Sequence, residues 1–148
     1  MAKVRLGFIG VGGMGQNAHL KNYHTLEECE VAAICELRPK LARRVAEKYG
    51  VANVYQDHAE MVEKEDLDGL VVIQNFAFHG SILPPVIDYG LPMITEKPLA
   101  QCAEVGRQLI DRLSVKGTPM FIAYHKRSDP ATVEAMRWIE QWRQSGQF

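Results

Sequence analysis

The stretch Val4-Arg5-Leu6-Gly7-Phe8-Ile9-Gly10-Val11-Gly12-Gly13-Met14-Gly15 decides how the rest of this 148-residue chain is read. The apolar run from Val4 to Ile9 has strand character and stops in a glycine turn of the form GxGxxG. In such a turn Gly10 allows the tight reversal and Gly12, beside Gly13, lets a phosphate approach the backbone. Gly15 lets the next helix pack on the strand, and Met14 closes over the turn as packing. The start of that helix offers bare amides and partial positive charge to a diphosphate. Glu36 lies roughly 20 residues further on, at the tip of a second apolar run, where a carboxylate meets an adenosine ribose. Strand, glycine turn, helix, strand and acid together predict a dinucleotide-binding domain.

Working outward, short apolar runs alternate with segments of helical period. A helix is expected from about Gly13 to Tyr23, although its apolar period is loose. Val31–Cys35 reads as a strand buried on both faces. Pro39 opens a helix carrying Leu41, Ala42, Val45, Ala46 and Tyr49, and Gly50 ends it. Asn53–Tyr55 is a third strand, followed by a small helix capped by Asp57 and ending near Glu63; the charges 63–66 read as a solvated face or loop. Leu70–Ile73, Met93–Thr95 and Pro119–Tyr124 supply three more strands. The stripe Cys102, Val105, Gly106, Leu109, Ile110 and Leu113 predicts a helix between the last two. Pro84 and Pro85 place a helix start at or near Pro84, with 78–83 irregular. Asp129-Pro130 caps and opens a final helix. Six strands alternating with helices imply an α/β, doubly wound parallel sheet in the order 3-2-1-4-5-6, a three-layer Rossmann architecture spanning residues 1–148 as one domain.

Composition sets the boundaries. Forty-seven per cent hydrophobic and 24% charged residues are ordinary for a globular domain, and a net charge of −1 gives no footprint for nucleic acid or a membrane surface. No apolar stretch approaches a spanning helix, and Met1 to Arg5 run straight into the first strand without a signal-peptide pattern. Cys29, Cys35 and Cys102 lack metal-site spacing and read as reduced thiols of a cytoplasmic protein, with no metal expected. His19, His24 and His58 fit surface or capping positions.

Glu36 also bears on which cofactor binds. A carboxylate there accepts hydrogen bonds from both ribose hydroxyls and repels the extra phosphate of NADP, by ~1–4 kcal/mol for charges about 4 Å apart. Arg38 pulls the other way, because a guanidinium can clamp that phosphate. NAD is the expected cofactor and NADP the alternative.

A second constellation lies at Glu96-Lys97-Pro98-Leu99-Ala100, directly after the fifth strand. With the fingerprint at 7–15, Arg127-Ser128-Asp129-Pro130 and Glu47-Lys48-Tyr49-Gly50, it resembles the Gfo/Idh/MocA family of NAD(P)-dependent oxidoreductases. That family takes its name from glucose-fructose oxidoreductase, inositol dehydrogenase and a rhizopine-catabolism protein. The resemblance implies a hydride-transfer domain for a sugar, cyclitol or similar polyol-type substrate. It implies that Lys97 is the catalytic-site residue beside nicotinamide and substrate, with Glu96 before it and Pro98 in a cis peptide. It also puts Arg127 at the nicotinamide end or the domain junction. Where the family carries Thr-Pro or Ser-Pro after the fourth strand, this chain has Gln74-Asn75, which can still hydrogen-bond ribose or the nicotinamide amide. His79 matches a family histidine and is read either as a ligand contact or as a residue capping or packing the next helix.

The resemblance further implies a second domain with substrate contacts, oligomer contacts and an Asp/His pair, none of which follows Phe148. The chain alone is therefore expected to bind cofactor and to turn over substrate poorly, unless a partner supplies the other half. Ala131, Ala135, Trp138 and Trp142 line one side of the last helix, flanked by Met136 and Ile139. They either pack on the sheet or await a neighbour, the second domain or another copy of the chain. Two competing functions remain: a catalytically silent nucleotide sensor, and an S-adenosylmethionine-dependent methyltransferase-type domain, which also uses a glycine turn and an acid at the second strand.

Overall fold

A computed structural model describes residues 2–147; Met1 and Phe148, the two ends of the expected domain, lie outside the described residues. Six strands form one sheet: β1 (Val4–Ile9), β2 (Cys29–Cys35), β3 (Asn53–Tyr55), β4 (Gly69–Val72), β5 (Met93–Thr95) and β6 (Met120–Ile122). Their order is β3-β2-β1-β4-β5-β6 and every pairing is parallel. This is the expected doubly wound sheet, with the crossing point between β1 and β4.

Alternation along the strands sorts side chains onto two faces. Phe8, Ile34 and Val71 join Leu20, Val45 and Ala46 on one side. Their neighbours Ile9, Ala33, Cys35, Leu70 and Val72 join Met61, Leu83, Ile87 and Leu109 on the other. β4 is buried over its whole length, the signature of a central parallel strand covered on both faces.

Helices α2 (Pro39–Tyr49), α3 (His58–Lys64), α4 (His79–Ile87), α5 (Ala103–Lys116) and α6 (Pro130–Gln144) connect or follow the strands. Local chemistry sets several boundaries. Gly50 takes φ +66° and returns its amide to Ala46, Asp57 accepts from the Ala59 amide at 2.7 Å, and Asp129 accepts from Ala131 at 3.1 Å.

Three sequence expectations need correction, and one pair of readings left open, that of the last helix, is decided. The first helix is not regular: Gly15–Leu20 is wound as a π-helix before α1 (Lys21–Tyr23), with the Lys21 amide bonded back to Gln16. The wider turn is why the apolar period looked loose. α4 does not start at Pro84; it starts at His79 and carries both prolines inside. Burial of His79, Leu83, Val86 and Ile87 holds that segment, and Pro85 sits on its exposed side. The charged run 63–66 is not simply solvated: the Glu65 carboxylate accepts from Tyr55 Oη at 2.7 Å and Asn53 Nδ2 at 3.1 Å. α6 does not pack on the sheet; none of its residues is buried, and Met136, Trp138 and Trp142 are among its exposed side chains.

Candidate functional site

The carboxyl ends of β1, β2, β4 and β5 open into one cleft of about 990 Å³. Gly12, Gly13, Glu36, Gln74 and Lys97 all line it, so the glycine turn, the acid and the E-K-P segment share a single cavity. This is where ligands of a doubly wound sheet are bound.

The glycine turn follows from sterics. Gly10 has φ +93°, and a methyl group on it would lie 2.2 Å from the Ile73 carbonyl oxygen and 2.6 Å from Gln74 Nε2. A methyl on Gly15 would meet the Gly10 oxygen at 2.4 Å, so this glycine lets the helix seat against the turn. Gly12 and Gly13 differ: a methyl on Gly12 would find only Arg38 Nη2, at 3.5 Å, and one on Gly13 would meet nothing. Two glycines close the turn against protein, and two leave space on the cleft side. That open cradle has the shape a diphosphate needs, and no side chain among the described residues fills it. Met14 is exposed at its edge.

Glu36 is buried at the tip of β2. Its Oε1 accepts from Arg38 Nε at 2.8 Å and from the Arg38 amide at 3.1 Å; Oε2 accepts from Arg38 Nη2 at 3.0 Å and the Val11 amide at 3.3 Å. Burial pushes the carboxyl up. The Arg38 guanidinium and amide and the Val11 amide together outweigh that and hold it below the ordinary carboxylate range. The acid is thus ionised and preorganised, and Arg38 lies over the same rim. Around it the cleft is lined by Leu37, Gln56, Asp57 and His58, and His58 Nδ1 lies 2.7 Å from Tyr89 Oη. Cys35 also lines the cleft, but burial, with the Asp57 and Glu36 charges, pushes its thiol up to about 12.

At the opposite end Lys97 is exposed, and among the described residues its ammonium has no hydrogen-bond or ion-pair partner. The Lys97–Pro98 peptide bond is cis. Gln74 and Asn75 both line the cleft, but Asn75 spends its side-chain oxygen on the Ala77 amide at 3.0 Å, capping the 3₁₀ turn Phe76–Phe78. That turn brings Phe76 and Phe78, both half exposed, to the cleft wall beside Ile82. Their role was not read from the sequence, because two phenylalanines beside a helix start carry no motif.

Other site residues fall elsewhere. Of the two readings of His79, cofactor contact or packing at the next helix, the structure excludes the first: His79 is fully buried, Nδ1 donates to the Leu99 carbonyl at 3.0 Å, and it does not line the cleft. Pro98 shapes the turn without lining the cleft. Arg127 is exposed in the 3₁₀ turn His125–Ser128, 5.8 Å from the Tyr124 ring and off the cleft. Glu96, in contrast, lines the cleft and is buried. Its partner is His19, which was expected at the surface and lies buried with Nε2 2.7 Å from Glu96 Oε1. The signal was present: His19 is four residues after buried Gly15, on the face a helix turns toward the sheet. Among the described residues no cluster of His, Cys, Asp and Glu could hold a metal ion, and no helix is long and apolar enough to cross a membrane.

Comparison with known proteins agrees with this geometry. The model of an oxidoreductase family with an NAD-binding Rossmann fold, Gfo/Idh/MocA, matches residues 4–124. D-glucoside 3-dehydrogenase of Escherichia coli is 29% identical over 84% of this chain and 35% of its own length. Inositol 2-dehydrogenase of Burkholderia cenocepacia is 31% identical over 73% of this chain and 32% of its own. The chain thus spans about a third of these relatives. In fold it is similar to scyllo-inositol dehydrogenase from Lactobacillus casei with bound NAD(H) and scyllo-inositol (TM-score 0.86, 19% identity, 96% of this chain and 42% of that one). It is equally similar to the WlbA dehydrogenase from Bordetella pertussis in complex with NADH and UDP-GlcNAcA (TM-score 0.87, 22% identity, 96% and 43%).

Proposed function

The chain belongs to the Gfo/Idh/MocA oxidoreductase family, as its NAD-binding Rossmann domain, and from that premise we propose that it holds the nicotinamide cofactor of an enzyme oxidising or reducing a hydroxyl-bearing carbon of a sugar or cyclitol. The observation that carries this is the single cleft joining the open faces of Gly12 and Gly13 to Glu36 at one end and Lys97 at the other.

Each residue has a task. The turn amides take the diphosphate, and Glu36 accepts the hydrogen bonds of the adenosine ribose. Gln74 and Asn75 flank the path toward Lys97. Bound nicotinamide supplies the hydride donor or acceptor. The Lys97 ammonium, free of partners among the described residues, stabilises the negative charge that develops on the substrate oxygen and helps move its proton. Phe76 and Phe78 give that end of the cleft an apolar wall, which favours exclusion of water.

Turnover needs more than this wall. The relatives are about three times as long, and we assign the remaining cover to a substrate-binding module seated on the exposed face of α6 that carries Ala131, Ala135 and Trp138.

Calorimetric titration of the chain with NADH, NADPH and S-adenosylmethionine tests the reading. NADH is expected to bind more tightly than NADPH, and S-adenosylmethionine to give no saturable heat. Preferential binding of S-adenosylmethionine overturns it.

A further inference from the structure

Resting on the cofactor reading above, the geometry points to His19 and His79 as two positioning residues that grip the Glu96–Leu99 turn from opposite sides and so fix where Lys97 stands. Neither reaches the cleft lining, and both are buried, His79 completely.

The grip on the amino-terminal side is a relay. His19 Nε2 donates to Glu96 Oε1 at 2.7 Å, and the second oxygen of the same carboxylate accepts the Lys97 amide at 3.2 Å. On the carboxyl-terminal side His79 Nδ1 lies 3.0 Å from the Leu99 carbonyl oxygen. A carbonyl only accepts, so Nδ1 carries the hydrogen, and His79 Nε2 is left buried with no hydrogen-bond partner among the described residues. The lysine is therefore bracketed: its own amide and the carbonyl two residues later are each tied, directly or through one carboxylate, to a histidine on another element.

The elements that present these histidines are both irregular. His19 sits in the π-wound segment, and His79 opens a helix that tolerates two prolines. Single π turns cluster at functional sites because they redirect one side chain out of helical register. A long, flexible lysine whose ammonium has no partner among the described residues gains defined placement only from its backbone, so the two ties act on the ammonium through the turn.

The two histidines use different nitrogens, and this sets the test. A glutamine amide reaches where Nε2 stands, an asparagine amide where Nδ1 stands. H19Q and H79N should keep the ties, whereas H19N and H79Q should lose them. Each variant is titrated calorimetrically with NADH and with ADP-ribose, which lacks nicotinamide. H19N and H79Q are expected to lose about tenfold in NADH affinity while ADP-ribose changes by less than about twofold, with H19Q and H79N near wild type. Equal losses for both ligands, or no difference between the matched pairs, overturn the inference. Amide exchange of the wild-type chain decides the matter where a variant fails to fold: a protected Lys97 amide supports the grip, and free exchange overturns it. Wild-type protein that binds neither ligand refutes the cofactor reading instead, and the exchange result still judges the grip.

Discussion

Glu36 and Arg38 face each other at the rim of the cleft as a two-pronged ion pair, Oε1 to Nε at 2.8 Å and Oε2 to Nη2 at 3.0 Å. On the proposed reading, the acid that would select against a ribose phosphate thus sequesters the cation that would welcome one. E36A removes the ribose acceptor and releases the guanidinium in one step. NAD affinity is expected to fall about 10- to 100-fold, as for loss of hydrogen bonds to a charged group, with much less loss for NADP. Parallel titrations with the two cofactors check this, and an unchanged affinity ratio rejects the ribose contact.

Because hydrogen bonds from Arg38 and Val11 overcome the opposing effect of burial, the Glu36 carboxyl titrates below its ordinary value of 4.5. A group whose folded value is depressed contributes stability that is present above the unfolded value and lost as pH falls through the folded one. Glu36 is therefore expected to remain more than half ionised in the folded protein at pH 4.5, with its contribution to NAD affinity and stability lost as pH falls further. Calorimetry and thermal melts across that range test the sign. A carboxyl titrating above 4.5 contradicts the arrangement.

Glycine substitutions should separate folding from binding. At Gly10 a side chain meets both a positive φ and the Ile73 carbonyl, so G10A is expected to cost about 1–3 kcal/mol or more of stability. G12A meets only the tip of Arg38 and is expected to melt within about 0.5 kcal/mol of wild type. Denaturant unfolding of the two variants measures the contrast.

Cysteine reactivity reports on the cleft floor. Cys102 is exposed, whereas Cys29 and Cys35 are buried and burial raises both thiols, that of Cys35 to about 12. Alkylation at neutral pH followed by mass spectrometry is expected to label Cys102 and spare the other two. Modification of Cys35 in the native protein would contradict the packing at the end of β2.

The sheet was legible because its signals are redundant. Val31–Cys35 and Leu70–Ile73 are too apolar for anything but central strands, and Pro39, Gly50, Asp57 and Asp129 mark ends by local chemistry alone. That the turn from Gly10 to Gly15 and the acid Glu36 share one place was legible too, since strand, turn and helix at this spacing bring them to the same cleft. What escaped depended on long-range contact. His19 and Glu96 are 77 residues apart, and nothing local to either announces the other. The π winding hides in a sequence by loosening the period that would reveal a helix. Pro84 and Pro85 looked like a boundary because breaking power is a local property, whereas the packing of Leu83 and Ile87 that overrides it is not.

The central claim is that the open side of the glycine turn receives a dinucleotide diphosphate, and NADH titrated calorimetrically into wild-type and G12V protein tests it most directly. The account predicts saturable binding to wild type and none to G12V, with G12V still folded by its melting curve. Binding that survives G12V undiminished, or a wild-type chain silent at about millimolar NADH, would contradict it.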